Sequence, residues 1–165
     1  MVSVGFLAGL GTVFHVVEGF LPPPVPLPGA KLGLANVVTL FGLFLLGGRE
    51  ALCISLFRIA LGSLLSGTFL GVAFFLSLGG GVSSFAVMYL ARKKGASPLW
   101  VSVLGALFHN LGQWVVASLY IQSRALFFYL PVLLLFAIPS GILIGYLGAF
   151  LLEKRTLWSR VILKT

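Results

Sequence analysis

The stretch LFFYLPVLLLFAIPSGILIGYLGAFLL, residues 126–152, carries no charged side chain and decides the solvent in which this chain folds. A run that long exceeds the ~20 apolar residues that take a helix across a hydrocarbon core. Outward from it the composition stays the same: of 165 residues, 59% are hydrophobic and 8% charged, with a mean hydropathy of +1.15. A water-soluble domain of that composition would expose far more apolar surface than such domains tolerate. The other apolar runs lack the polar alternation of an outer-membrane barrel. The sequence therefore predicts an all-α integral membrane protein, a six-helix bundle forming one transmembrane domain over residues 1–152, with a basic cytoplasmic tail over 153–165.

Proline, glycine and charge place the expected spans. The first runs from Val2 to Leu21 and stops at Pro22-Pro23-Pro24, because proline lacks an amide proton and disfavours helix in the residue before it. The second is Leu32 to Leu46, closed by Gly47-Gly48-Arg49-Glu50. The third is Ala51 to Leu65, the fourth Phe69 to Ala91, the fifth Pro98 to Ile121 and the sixth Leu126 to Leu152. Spans two and three, at about 15 residues each, are too short to cross alone, so they recruit flanking residues or sit inside the bundle.

The basic residues orient these spans. With the N-terminus cytoplasmic, Arg49, Arg92, Lys93, Lys94, Lys154, Arg155, Arg160 and Lys164 all fall inside, against Lys31 and Arg124 outside, with Arg58 within a span. That bias places both termini in the cytoplasm and the protein in the cell membrane. It accounts for the formal charge of +8 better than a nucleic-acid partner does. The tail, with Trp158 among its basic residues, suits an interfacial segment on anionic lipid. Cys53 is the only cysteine, which excludes an intrachain disulfide and a cysteine-cluster metal site. The first apolar run has neither a basic leader nor a small-residue cleavage site and is expected to be a retained span.

Polar residues inside the spans carry the functional signal, since ionisable groups at membrane depth are costly and mark functional sites. In the stretch Pro28 to Leu40, Lys31 and Asn36 stand at the mouth of span two. Helical spacing puts Gly11, His15 and Glu18 on one face of span one, Ser55, Arg58 and Gly62 on one face of span three, and His109 in line with Gln113, beside Asn110, on span five. Topology gathers these groups in the outer half. A buried arginine needs an acid, a carbonyl or an anionic ligand. The acids are Glu18, Glu50 and Glu153, and Glu18 alone is placed to meet Arg58. A structural Glu18–Arg58 bridge and an anion site both fit that pairing, and Lys31 at the interface fits snorkelling as well as ligand contact. Small residues add two faces, Gly5, Ala8 and Gly9 on span one and Gly141, Gly145 and Gly148 on span six. The first could meet a partner helix and the second suits packing within the bundle. Gly79-Gly80-Gly81, before Ser83 and Ser84, is expected to break or kink span four where backbone lines a cavity.

Several motifs together resemble a known family: Glu18 before a proline-bearing loop, Pro-Gly-Ala-Lys-Leu-Gly-Leu-Ala-Asn (28–36), Gly-Gly-Arg-Glu-Ala-Leu (47–52), Arg58, Ser-Leu-Gly-Gly (77–80) and His-Asn-Leu-Gly-Gln (109–113). The chain resembles the Gx transporter family, also labelled heptaprenyl diphosphate synthase component I. That family is similar to the substrate-binding S components of energy-coupling factor transporters. The resemblance implies six helices, an outward pocket, a membrane coupling subunit and two cytosolic ATPases, often docked through an Ala-x-x-x-Ala face on the first helix. Here Gly5-x-x-x-Gly9 stands at that place.

The enzyme label conflicts with the composition. Prenyl diphosphate synthases resemble one another in aspartate-rich motifs that hold magnesium, and this chain has no aspartate. It shows no nucleotide-binding loop, zinc motif or catalytic constellation. The expectation is a non-catalytic subunit without cofactor or metal that binds a small anion such as a vitamin, a flavin or an isoprenoid-related precursor. Lys31, Asn36, Arg58, His109, Asn110 and Gln113 would form its pocket, with Glu18 as charge partner. The alternative is an accessory membrane subunit of an isoprenoid or quinone-linked enzyme system.

Overall fold

The computed structural model describes residues 2–20 and 33–154, so Lys31, the proline-rich loop and residues 155–165 of the tail lie outside the described residues. Six helices follow one another: α1 (Val2–Phe20), α2 (Leu34–Leu45), α3 (Gly48–Leu65), α4 (Val72–Lys93), α5 (Pro98–Ile121) and α6 (Ala125–Glu153). Contacts α1 to α3, α3 to α4, α4 to α5, α5 to α6, α6 to α2 and α2 to α1 close a ring. Helices α1, α4, α5 and α6 are long and apolar enough to cross a membrane. Large apolar side chains such as Phe6, Leu61, Leu90 and Leu135 point outward, while Glu18, Arg58, Ser84, Ser102 and Gln113 are buried. A polar interior inside an apolar surface is the distribution a bilayer imposes.

The two short spans resolve in opposite ways. Helix α3 takes in Gly48, Arg49 and Glu50 and reaches 18 residues, whereas α2 shrinks to 12, about 18 Å of helix, with most of them buried. Leu40 and Leu43 of α2 have no exposed surface. Around them Ala51, Met88 and Val101 form one apolar cluster, and Leu7, Val38, Phe41 and Ile54 form a second that also packs Val4, Leu151 and Leu152. The two described ends of the chain thus meet at one end of the bundle, plugged by apolar side chains.

Both ends of this 12-residue helix meet charged side chains from other helices. At the C-terminus of α2 the Arg92 guanidinium donates to the Leu43 and Phe44 carbonyls and lies 5.3 Å from the Phe44 ring centroid. A cation there complements the helix dipole and occupies carbonyls that have no partner within the helix. Sequence reading gave Arg92 a topological role alone. Arg92→Gln is expected to lower stability by about 1–2 kcal/mol, read as a lower melting temperature in detergent, with Arg92→Lys recovering part of it. An unchanged melting temperature in Arg92→Gln would remove the capping role.

Two expectations about α4 need correction. Phe69 to Gly71 are not helical: Thr68 N–H donates to the Ser63 carbonyl (2.8 Å), Gly71 N–H to the Thr68 carbonyl (3.0 Å), and Gly67 and Leu70 turn at φ 66° and 61°. Gly79-Gly80-Gly81 does not break the helix, which is continuous from Val72 to Lys93. Those glycines instead admit α5. A Cβ on Gly79 would stand 3.2 Å from the Gly112 carbonyl oxygen, and the Ser83 hydroxyl reaches the Phe108 carbonyl at 2.8 Å. Gly141 and Gly145 of α6 serve the same end, where added Cβ atoms would meet the Val103 and Leu99 Cα atoms at 2.7 and 2.9 Å. The small face expected on α1 divides: Ala8 is buried, while Gly5 and Gly9 are exposed, with no atom within 4 Å of an added Cβ.

Candidate functional site

Above the apolar plug, toward the end away from Val4 and Leu152, a polar cavity encloses about 510 Å³, open solvent included. His15 and Glu18 of α1, Asn36 of α2, Arg58 of α3, and His109 and Asn110 of α5 line it, with Gly33, Ser77 and Ser140. As it stands it has room for about three water molecules.

Reciprocal small and large residues place its charged wall. The aliphatic stem of Arg58 crosses Gly11, whose added Cβ would lie 3.1 Å from the arginine Cδ, and the His15 ring crosses Gly62. Gly-x-x-x-His on α1 therefore interlocks with Arg-x-x-x-Gly on α3. Arg58 is 4% exposed, and one of its terminal nitrogens donates to the Asn36 side-chain oxygen at 3.0 Å. Among the described residues its Nε has no hydrogen-bond partner. The Glu18 carboxylate, 8% exposed, accepts from the Gly33 N–H and acts electrostatically on Arg58. Gly33 caps α2 at φ 79°, a left-handed conformation that glycine adopts without a Cβ penalty. The first turn of α2 thus opens at the cavity, where orphan N–H groups and the helix dipole favour an anion.

The structure brings Asn36, Arg58, His109, Asn110 and Glu18 together around this space and leaves Gln113 out of its lining. Gln113 is buried one turn beyond His109, packed where a Gly80 Cβ would stand 2.8 Å from its Cγ, so it serves the α4–α5 seam. Lys31 lies outside the described residues. Asn110 has a second task, donating to the Leu133 carbonyl at 2.8 Å and so fixing α6 to the cavity wall. Gly33, Ser77 and Ser140 were missed as site residues. Ser77 opens the Ser-Leu-Gly-Gly motif and Gly33 lies in the Pro28–Leu40 stretch, whereas Ser140 looked like one more small residue in an apolar run.

The family model for heptaprenyl diphosphate synthase component I matches residues 7–151. The chain belongs to that family. The match spans α1 to α6 and every cavity residue named above. No curated protein and no solved structure matches this family member. Chemically, the site sets one guanidinium and the start of a helix beside one carboxylate. It offers two imidazoles, one carboxylate, one guanidinium and the hydroxyls of Ser77 and Ser140.

Proposed function

We propose that this family member is the substrate-binding membrane subunit of an uptake system, similar to the S components of energy-coupling factor transporters, and that it captures a small carboxylate or phosphate. The observation that carries this reading is Arg58, buried at 4% exposure beside the N-terminus of α2, with an unpartnered Nε in a cavity open to one end of the bundle. A guanidinium and a helix N-terminus are both donors matched to carboxylate and phosphate oxygens. All six helices would lie within the plasma membrane, both termini cytoplasmic, with the cavity facing out. The chain itself would catalyse nothing, and partner ATPases would supply the energy.

Purified protein in detergent, titrated with phosphate, diphosphate, acetate and citrate against chloride, tests the reading. At least one of these anions is expected to raise the melting temperature in proportion to the logarithm of its concentration, and Arg58→Lys to shrink the shift. If none stabilises beyond chloride, or the shift survives in Arg58→Lys and Arg58→Gln alike, the anion site is wrong. For the partner subunit, the Gly5 and Gly9 face is the proposed contact. Gly9→Leu should leave the melting temperature of the isolated chain within a degree or so, because its neighbourhood is open, yet abolish co-purification of the coupling subunit. Retained co-purification would move the contact elsewhere.

The family's description favours a second reading, a non-catalytic accessory subunit of a heptaprenyl diphosphate synthase. With no aspartate in the sequence, the magnesium site would have to come from the partner. Isolation from native membrane separates the readings: ATPases in the complex favour uptake, a soluble prenyltransferase favours the accessory role.

A further inference from the structure

The connection between α3 and α4 stands at the cavity end of the bundle, since α3 passes the cavity residue Arg58 before it ends at Leu65. It carries no charge. Residues 59–91 include no aspartate, glutamate, lysine, arginine or histidine, whereas the connection from α5 to α6 at the same end is Gln122, Ser123 and Arg124, all exposed. What projects from the α3–α4 turn is apolar: Leu64, Leu65, Phe69, Leu70 and Val72 are 45–70% exposed.

The backbone of this turn pairs its N–H groups within itself instead of leaving them to solvent. Ser66, Gly67 and Thr68 donate back to the carbonyls of Gly62, Leu64 and Ser63 at 3.0, 3.2 and 2.8 Å, and Gly71 donates to Thr68 at 3.0 Å. Irregular backbone beside hydrocarbon needs such internal pairing. Leu70 adds a second sign: its φ of 61° is a left-handed conformation that glycine or asparagine adopts at less cost, yet a leucine stands there, 64% exposed. Helix length then sets the depth. From Arg49 and Arg92 at the opposite end, α3 rises about 24 Å to Leu65 and α4 about 30 Å to Val72, against a hydrocarbon core of ~30 Å. The turn lies at the rim of that core and not beyond it.

We propose that residues 64–72 form a lipid-inserted turn, its backbone at the boundary between headgroups and acyl chains and its leucines and Phe69 among the acyl chains. The occupant of this surface is lipid, because the apolar side chains of the turn continue without a charge into the outward faces of α3 and α4, at Phe57, Leu61 and Val82, which the bilayer covers. Lipid therefore borders the cavity end on the α3–α4 side, and water meets the bundle at the charged α5–α6 connection. This rests on the membrane setting of the helices and is independent of any anion in the cavity.

The test uses the full chain in phosphatidylcholine vesicles, with Cys53→Ser removing the native exposed thiol and one nitroxide at a time placed through Leu70→Cys, Phe69→Cys or Ser123→Cys. Saturation of the paramagnetic resonance signal compares collisions with oxygen, which concentrates in acyl chains, and with a water-soluble nickel chelate. The oxygen-to-chelate ratio is expected to be several-fold higher at positions 69 and 70 than at 123, with oxygen collisions high at both. Phe69→Cys keeps the comparison readable if a label at the left-handed position disturbs the turn. A chelate that reaches positions 69, 70 and 123 alike places the turn in water and overturns the proposal. Few collisions with either reagent at 69 and 70 mean that protein covers the turn, from this chain or a second copy, and overturn it as well. Each outcome leaves the anion titrations of the cavity to be judged separately.

Discussion

Arg58→Met is expected to be among the most damaging single substitutions in this protein, costing about 3–5 kcal/mol of stability and abolishing anion-dependent stabilisation. Methionine keeps an aliphatic stem to cross Gly11 and removes the guanidinium with its charge and its donors, so the packing of the stem is not the cause. What is lost is the cation that balances Glu18, which at 8% exposure cannot recover its hydration, and the donor to Asn36. The second substitution Glu18→Gln should restore most of the stability, because a neutral amide no longer needs a cation. It should not restore anion binding. That split separates the two meanings of the arginine: recovery of folding and binding together in the double variant would make Arg58 structural only. Thermal melts with and without phosphate, on wild type, both single variants and the double, read the outcome.

Gly112→Ala is expected to cost about 3 kcal/mol through a different mechanism, overpacking at a helix crossing. The added Cβ would stand 2.0 Å from the Ser83 hydroxyl and 2.5 Å from the Gly79 carbonyl oxygen. The hydroxyl can rotate away. The carbonyl is backbone, so α4 and α5 must separate, which also shifts His109 in the cavity wall. Two controls sharpen the measurement. In a Ser83→Ala background Gly112→Ala should remain destabilising, since the backbone clash persists, and Gly9→Ala, with open space around it, should be neutral or slightly stabilising through helix propensity. A Gly112→Ala protein that melts with the wild type would mean that the α4–α5 seam yields without cost.

Much of this arrangement is legible in the sequence because membrane helices announce themselves by length and by the rarity of charge. Six helices in order, with α5 over the expected residues, follow from apolar runs punctuated by proline, glycine and lysine. The pairing of the Glu18 and Arg58 faces is legible too, since only one acid can reach the arginine and helical spacing aligns Gly11 with His15 and Arg58 with Gly62. What remained hidden depends on relations between helices. The triple glycine in α4 reads as a break because glycine is a poor helix former, yet its missing side chains matter to α5 and not to α4 itself. Gln113 shares the spacing of His109 but faces the seam, and no periodicity tells a polar residue in a seam from one in a cavity. Arg92 has the composition of a topological signal, and its role as a cap becomes visible only when the end of α2 lies beside it.

The short helix α2 has a further property that follows from being capped at both ends by charges from elsewhere. Glu18 of α1 accepts from the N–H of its cap residue Gly33 at the cavity and Arg92 of α4 donates to its last carbonyls at the plugged end. Between them lie about 18 Å of helix without a proline, one uninterrupted segment from the cavity to the plug. An anion that took the Glu18 carboxylate's place at Gly33 would exchange the charge at one end of that segment while Arg92 kept the other. The cavity and the opposite end of the bundle thus share one helix, whose Asn36 lines the first and whose Leu40 and Leu43 fill the second.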